Sequence, residues 1–236
     1  MASGAAAAGA APDAGAIEAV LFDIDGTLIT TGGAGGEAWR RAFAELHGVA
    51  VDIRAVTEAG MTDPEVARTA LRSVLNREPS KRQLAQAMGR YLCHLPDSVR
   101  DSDGYRVMPG VEALLERLVD AGMLLGMTTG NVEAAAHVKL SRANLNRFFS
   151  FGGYGSDSND RAELTRRAIE RGLLVSGGTL AEAECIAVGD TPRDVSAAHG
   201  AGIRVAAVAT GNYPLAELRT AGADWALETV EDGFPV

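Results

Sequence analysis

Nine consecutive residues constrain this chain most: Val20-Leu21-Phe22-Asp23-Ile24-Asp25-Gly26-Thr27-Leu28. An apolar run that reads as a buried strand ends in two aspartates two positions apart, followed at once by a glycine and a threonine. In a regular strand residues i and i+2 share a face, so the two carboxylates would converge. Gly26 instead points to a sharp turn directly after them. Two like charges this close repel, which raises one pKa unless a cation neutralises them. A divalent metal at the carboxyl end of a strand, with one aspartate left to act on a substrate, is the economical account. A capping Asp and a turn Asp at a strand–loop corner is the plainer one, and these nine residues alone do not choose between them.

The pattern recurs. Ala183 to Val188 reads as a second buried strand and ends in Gly189-Asp190-Thr191-Pro192-Arg193-Asp194. Pro192 sits where a helix begins, at the position where its missing N–H costs nothing. Between the two lies a third apolar run, Met123 to Met127, ending in Thr128-Thr129-Gly130-Asn131. Open parallel sheets bind ligands at the carboxyl edge of their strands, and three strands deliver polar groups there.

These motifs resemble those of the haloacid dehalogenase-like hydrolase superfamily, in particular its phosphoglycolate-phosphatase-like branch with a helical cap. Asp23-Ile24-Asp25-Gly26-Thr27 matches the first motif, Thr129 the second and Gly189-Asp190-Thr191-Pro192-Arg193-Asp194 the fourth. The resemblance runs from about Ile17 onward. It implies a Rossmann-like three-layer α/β core with a parallel sheet, and a Mg2+-dependent phosphatase working through an aspartyl-phosphate. Asp23 would be the nucleophile and Asp25 the general acid and base. The metal would be held by the Asp23 carboxylate, the Asp25 backbone carbonyl and Asp190, with Asp194 contributing through water or supporting the loop. Gly26, Thr27 and Asn131 would support the site. Thr128 competes with Thr129, since strand neighbours face opposite ways; the resemblance favours Thr129 as the phosphate-binding hydroxyl. Relatives that remove halide generally lack the second aspartate, so Asp25 argues against dehalogenation.

The third motif departs from the family pattern. Many relatives carry Lys followed by Pro, whereas Asp160-Arg161-Ala162-Glu163-Leu164 stands here and no Lys follows Lys139. Arg161, Arg166, Arg167 and Arg171 are the candidates for the phosphate-binding cation. Arg161 opens its helix beside a polar loop, where it can reach across the strand ends, and a guanidinium fork suits phosphate oxygens. On that reading Arg161→Ala should cut turnover and leave thermal stability nearly intact. Asp157, in a Gly- and Ser-rich loop, is a weaker site candidate.

The chain has 236 residues, enough for a core and a smaller second domain. Its formal charge of −9 argues against broad nucleic-acid binding and leaves local cations to draw in a small phosphorylated metabolite. The two cysteines, Cys93 and Cys185, show no metal spacing, and the four histidines (His47, His94, His137, His199) are given no role. Residues 1–14, mostly Ala and Gly, lack the basic region of a signal peptide and read as a disordered tail. No apolar stretch is long enough to span a membrane. A cytoplasmic setting is expected.

Residues 15–30 and 101–236 are expected to form the core, and residues 31–100 an all-helical cap. Glu37 to Leu46, Asp63 to about Leu75 and Ser80 to Leu92 have helical periodicity, and no strand pattern falls between residues 35 and 100. Asp63 is expected to cap its helix with Pro64 at N1. Thr31-Gly32-Gly33-Ala34-Gly35-Gly36 reads as a hinge rather than a phosphate cradle, because a cradle must follow its strand directly. Met61, Thr62 and Asp63 are candidates for reaching substrate from the cap. Beyond residue 100, strands and helices alternate: Val111 to Ala121 helical, Val132 to about Ala143 helical with Asn131 as N-cap, Phe148 to Phe151 a short strand, then Arg161 to Gly172 helical. Ile203 to Ala209 and Asp224 to Leu227 are read as further strands. Such alternation implies right-handed crossovers in a parallel sheet. Three rivals stay in view: a phosphosugar mutase, a catalytically silent phospho-ligand-binding relative, and a receiver-type phosphoacceptor. The long insertion after the first strand counts against the last.

Overall fold

A computed structural model describes residues 17–236; the expected tail lies outside the described residues. Six strands form one parallel sheet: β1 (Ala19–Phe22), β4 (Leu124–Thr129), β5 (Phe151–Tyr154), β6 (Cys185–Gly189), β7 (Arg204–Val208) and β8 (Trp225–Leu227). Their spatial order is β5-β4-β1-β6-β7-β8, with β1 flanked in register by β4 and β6. All four residues of β1 are fully buried. That is why the run reads as continuously apolar rather than alternating: helices cover both faces of the sheet.

The alternation shows instead in which layer each residue joins. Val20 and Phe22 pack with Leu114, Leu115 and Leu118 of α5 (Val111–Asp120) and Leu140 of α6 (Glu133–Ser141). Ala19 and Leu21 face the opposite layer, with Ala168 of α7 (Arg161–Val175), Val195 of α8 (Pro192–Gly200) and Leu218 of α9 (Leu215–Thr220). This is the three-layer α/β arrangement expected.

Between β1 and α5 lie four helices: α1 (Ala34–His47), α2 (Ile53–Val56), α3 (Asp63–Leu75) and α4 (Lys81–Arg100). They bury a separate apolar cluster around Trp39, Phe43, Leu71, Tyr91 and Leu95, with the Trp39 and Tyr91 rings stacked 4.2 Å apart. Val132 and Ala135, at the start of α6, join that cluster and tie the insertion to the core.

Several expectations need correction. Ile29–Thr31 (β2) straddles the expected core boundary at residue 30 and pairs antiparallel with Tyr105–Val107 (β3) in a two-stranded ribbon at the base of the insertion. Helix α4 continues past Leu92 and through Pro96 to Arg100. The proline removes one hydrogen bond, yet Ala87, Tyr91, Leu95 and Val99 keep one buried face continuous through it, and that burial prevails. Thr62, not Asp63, caps α3: its side chain bonds the Glu65 N–H while Glu65 returns to the Thr62 N–H. Val132 rather than Asn131 is the N-cap of α6. Gly35 and Gly36 lie in the first turn of α1, so only Gly32 and Gly33 adopt left-handed backbone at the β2–α1 junction.

The strand expected at Phe148 to Phe151 begins at Phe151, after a 3-10 turn over Leu145–Phe148. Two glycines inside β5 hid it. Gly153 lies so close to α7 that a Cβ there would run into the Leu164 carbonyl, and glycine in a strand often marks such an approach.

Candidate active site

Strand β1 carries Asp23 to the carboxyl edge of the sheet, where its N–H bonds the Val188 carbonyl at 2.9 Å. The chain then reverses on itself. The Ile24 carbonyl accepts from the N–H groups of Leu28 (3.0 Å) and Ile29 (3.1 Å), and Gly26 N–H returns to the Ile29 carbonyl at 2.8 Å. Gly26 takes φ +90°, and a Cβ there would enter the Asp190 carboxylate. Both the turn and the close approach therefore demand glycine. Thr27 Oγ1 donates to Asp190 Oδ1 at 3.2 Å, joining the first motif to the fourth.

From β6, Asp190 emerges buried, and Thr191 caps α8. Thr191 donates its N–H (3.0 Å) and its hydroxyl (2.7 Å) to Asp194 Oδ2, which leaves Asp194 Oδ1 for Arg161. Carboxylate oxygens of Asp23, Asp190 and Asp194 lie within 4.8 Å of one another, all buried. Arg161, at the first position of α7, pairs through Nη2 with Asp194 and stands 3.7 Å from Asp23 Oδ1. Its buried Nε–H has no partner among the described residues. The other arginines face elsewhere. Arg166 bonds Glu163 and the Gly200 carbonyl, Arg167 pairs with Glu163 and Glu170, and Arg171 bonds Gly152 and Asp157. Asp157 accordingly serves the β5–α7 loop.

Three buried carboxylates with one guanidinium are short of positive charge. Burial, then the Asp194 charge, pushes Asp23 up to about 7, with Arg161 working the other way. Burial, then Asp194 and Asp23, pushes Asp190 up to about 9, opposed by the Thr27 hydrogen bond. An oxygen-only, carboxylate-rich set of this kind suits a hard divalent cation such as Mg2+.

Strand β4 settles which threonine faces which layer. Thr128 Oγ1 meets Thr165 Oγ1 of α7 at 2.9 Å, away from the acids. Thr129 is fully buried, and its Oγ1 accepts from Asn131 Nδ2 at 2.8 Å. The Asn131 amide also donates to Asp25 Oδ2 at 2.8 Å. Asp25 thus has Oδ2 engaged by the Thr129–Asn131 side of the site.

Lys139 completes the site and is not among the residues expected from sequence. From α6, its Nζ lies 2.6 Å from Asp25 Oδ2 and 2.6 Å from Asn131 Oδ1. Burial works to lower its pKa, but the Asp25 and Asp63 charges more than offset this and the ammonium is held above its usual value. A signal for it exists: Ala135, Ala136, Lys139 and Leu140 form one buried stripe at helical spacing, and a lysine in such a stripe needs a partner.

The insertion closes over these groups. Asp63 N–H bonds the Gly130 carbonyl at 2.8 Å, and Asp63 Oδ2 accepts from the Val132 N–H at 2.9 Å. Arg193 of α8 reaches Glu58 at 2.6 Å. Thr62 is fully buried, spent on its capping box and a 3.2 Å contact with Asn159, and Asp63 is spent on α6. Of the three insertion residues expected to reach substrate, Met61 alone is partly open.

Comparison with known proteins agrees with this architecture. A family model described as haloacid dehalogenase-like hydrolase matches residues 17–202. The chain belongs to that family and is a hydrolase. The phosphoglycolate phosphatase of Rhodospirillum rubrum is 32% identical over 211 residues, covering 85% of this chain and 84% of its own. That of Mesorhizobium japonicum is 29% identical over 196 residues, covering 81% and 82%. Among solved structures, a predicted phosphoglycolate phosphatase from Haemophilus somnus shares the fold with a TM-score of 0.70 at 20% identity, over 90% of this chain and 94% of that one. Among the described residues no helix is long and apolar enough to cross a membrane.

Proposed function

We propose that the chain is a Mg2+-dependent phosphatase that hydrolyses a small phosphomonoester in the cytoplasm. The observation that carries this reading is the buried Asp23–Asp190–Asp194 cluster with Arg161 against it, its Nε–H lacking an acceptor that a phosphoryl oxygen would provide. Asp23, Asp190 and the Asp25 carbonyl would hold the metal, with Asp194 alongside. The ion, when bound, supplies neutralisation of the charge on the transferring phosphoryl group.

The chain's own residues do the rest. An Asp23 oxygen attacks phosphorus while Thr129 and Arg161 hold the equatorial oxygens. Asp25 gives a proton to the departing alkoxide, then takes one from the water that cleaves the aspartyl-phosphate. Residues 31–100 act as a lid hinged at Gly32 and Gly33, excluding bulk water. The Met61–Asp63 segment packs directly against Gly130 beside the acids, and two relatives carry the name phosphoglycolate phosphatase, which supports a compact substrate. A phosphate-release screen over phosphoglycolate and sugar phosphates, with and without Mg2+, tests this. Phosphate release that requires Mg2+ is expected; transfer to a second sugar position without release would make the chain a mutase instead.

The metal has a stability signature. In chelator, Asp23 and Asp190 carry folded pKa values above the ordinary 3.8, so the folded state binds protons more tightly than the unfolded chain. Their contribution is fully present below pH 3.8 and is lost as pH rises through about 7 and about 9. Metal-free protein should therefore melt at progressively lower temperature from pH 5 to 9. Mg2+ at a hundredfold above its Kd should return about 2.7 kcal/mol, worth about 2–4 °C per kcal/mol at this size. A Tm indifferent to Mg2+ at pH 8 would contradict the metal assignment.

A further inference from the structure

Asp25 is held in an unusual way for a group that must exchange protons with a ligand. Both of its side-chain hydrogen bonds, from Asn131 Nδ2 at 2.8 Å and Lys139 Nζ at 2.6 Å, end on the same oxygen, Oδ2. The two ends of the ion pair differ in access: the Lys139 side chain is 7% exposed and that of Asp25 is 41% exposed. The ammonium is roofed by the insertion, for a Cβ on Gly35 of α1 would lie 3.9 Å from Nζ and 4.0 Å from the Tyr91 hydroxyl of α4. A buried ion pair is weak as a device for stability alone, because an apolar side chain of similar volume often does as well. What this one does is fix a carboxylate in one orientation, with one oxygen engaged and the other open.

We infer that Lys139 is a positioning residue for Asp25, holding Oδ2 together with Asn131 so that Oδ1 is the oxygen presented to the leaving group. The inference rests on the reading of Asp25 as the acid for leaving-group departure. Asn131 joins the same device to the phosphate-binding side, since one amide bonds both Asp25 Oδ2 and Thr129 Oγ1 and also accepts from Lys139. The insertion controls it as well. Asp63 accepts from the N–H of Val132, the N-cap of α6, and α6 carries Lys139. Closure of the insertion thus seats the helix whose lysine aims the acid.

Leaving-group dependence separates this role from packing. An alkoxide needs a proton to depart, whereas p-nitrophenolate does not. The experiment measures kcat/KM for phosphoglycolate and for p-nitrophenyl phosphate with the full-length Mg2+-loaded enzyme, its Lys139→Met variant and its Asp25→Asn variant. Lys139→Met should lose about 10–100-fold more on the alkyl ester than on the aryl ester, a part of the roughly 10²–10⁴ that a positioned acid supplies. Asp25→Asn should show the same bias, more strongly. Bias in Asp25→Asn with equal losses, or none, in Lys139→Met would overturn the role of Lys139 and leave the acid assignment standing. Equal losses on both esters in Asp25→Asn would overturn the acid assignment and this inference with it. Should Lys139→Met not melt cooperatively, Lys139→Gln, which stays polar but loses the charge and is one bond too short for the 2.6 Å contact with Asp25, takes its place. A bias against the alkyl ester then supports the positioning role, and equal losses on both esters overturn it.

Discussion

Exchanging Asp23 for asparagine is expected to lower kcat/KM for phosphomonoesters by about 10⁴-fold or more, the scale on which loss of a nucleophile is felt, while the protein stays folded. The carboxamide is nearly isosteric, so the 2.9 Å backbone bond to Val188 and the turn at Gly26 are untouched. What is lost is the anionic oxygen that would form the bond to phosphorus. The exchange also removes one of three crowded buried acids, the one whose pKa burial and the Asp194 charge push up to about 7. Metal-free Asp23→Asn should therefore melt no lower than the parent, with its gain over the parent larger at pH 8 than at pH 5. Activity and Tm moving in opposite directions is a signature that a packing role cannot produce.

Removing the Arg161 guanidinium should do the reverse and damage both. Arg161→Ala leaves Asp194 Oδ1 without its ion-pair partner and takes away the guanidinium 3.7 Å from Asp23. The arginine side chain is 12% exposed and those of Asp23 and Asp194 are 9% and 5% exposed, so water cannot replace it. Breaking one partner out of a buried pair costs about 3–5 kcal/mol, which at this size lowers Tm by roughly 6–20 °C. Turnover on every phosphoester should fall by about 10²–10³, as for removal of a donor aimed at developing charge. The near-neutral stability expected from the sequence is thus revised. That expectation treats Arg161 as a side chain reaching over the strand ends, when it is built into the floor between them. Arg166→Ala and Arg167→Ala, whose own side chains are 41% and 49% exposed, should each change stability by no more than about 0.5 kcal/mol. A Tm for Arg161→Ala equal to that of Arg166→Ala would contradict this placement.

The acids are legible in the sequence because their signal is local. Asp23 and Asp190 each follow an apolar strand directly, and the strand's end dictates where they stand. Alternation says only that one of Thr128 and Thr129 faces the acids, and the family resemblance makes the choice; Thr128 meets Thr165 on the other side. Lys139 is not legible, because its partners Asp25 and Asn131 come from two other loops and only the packing of α6 against the insertion brings them together. The β2–β3 ribbon escapes for a similar reason: Ile29 pairs with Val107 across the whole insertion, and three-residue strands carry too little pattern to announce it. The α3 cap is different, since its signal is local and lies one residue before the expected Asp63. Thr62 and Glu65 stand at capping-box spacing in the sequence, overlapping an Asp63-Pro64 pair that fits a helix start equally well. With Thr62 as the cap, Asp63 is freed for the bond to Val132 that latches the insertion to α6.

A phosphoryl group carried covalently by Asp23 is the step on which the whole mechanism depends. Wild-type protein quenched during turnover of phosphoglycolate and reduced with borohydride would convert a phosphorylated aspartate to homoserine, which peptide mapping locates. Conversion at Asp23 alone, absent from the Asp23→Asn variant, is the predicted result. Conversion at Asp25 or Asp190 instead, or phosphate release with no aspartate converted, would contradict it.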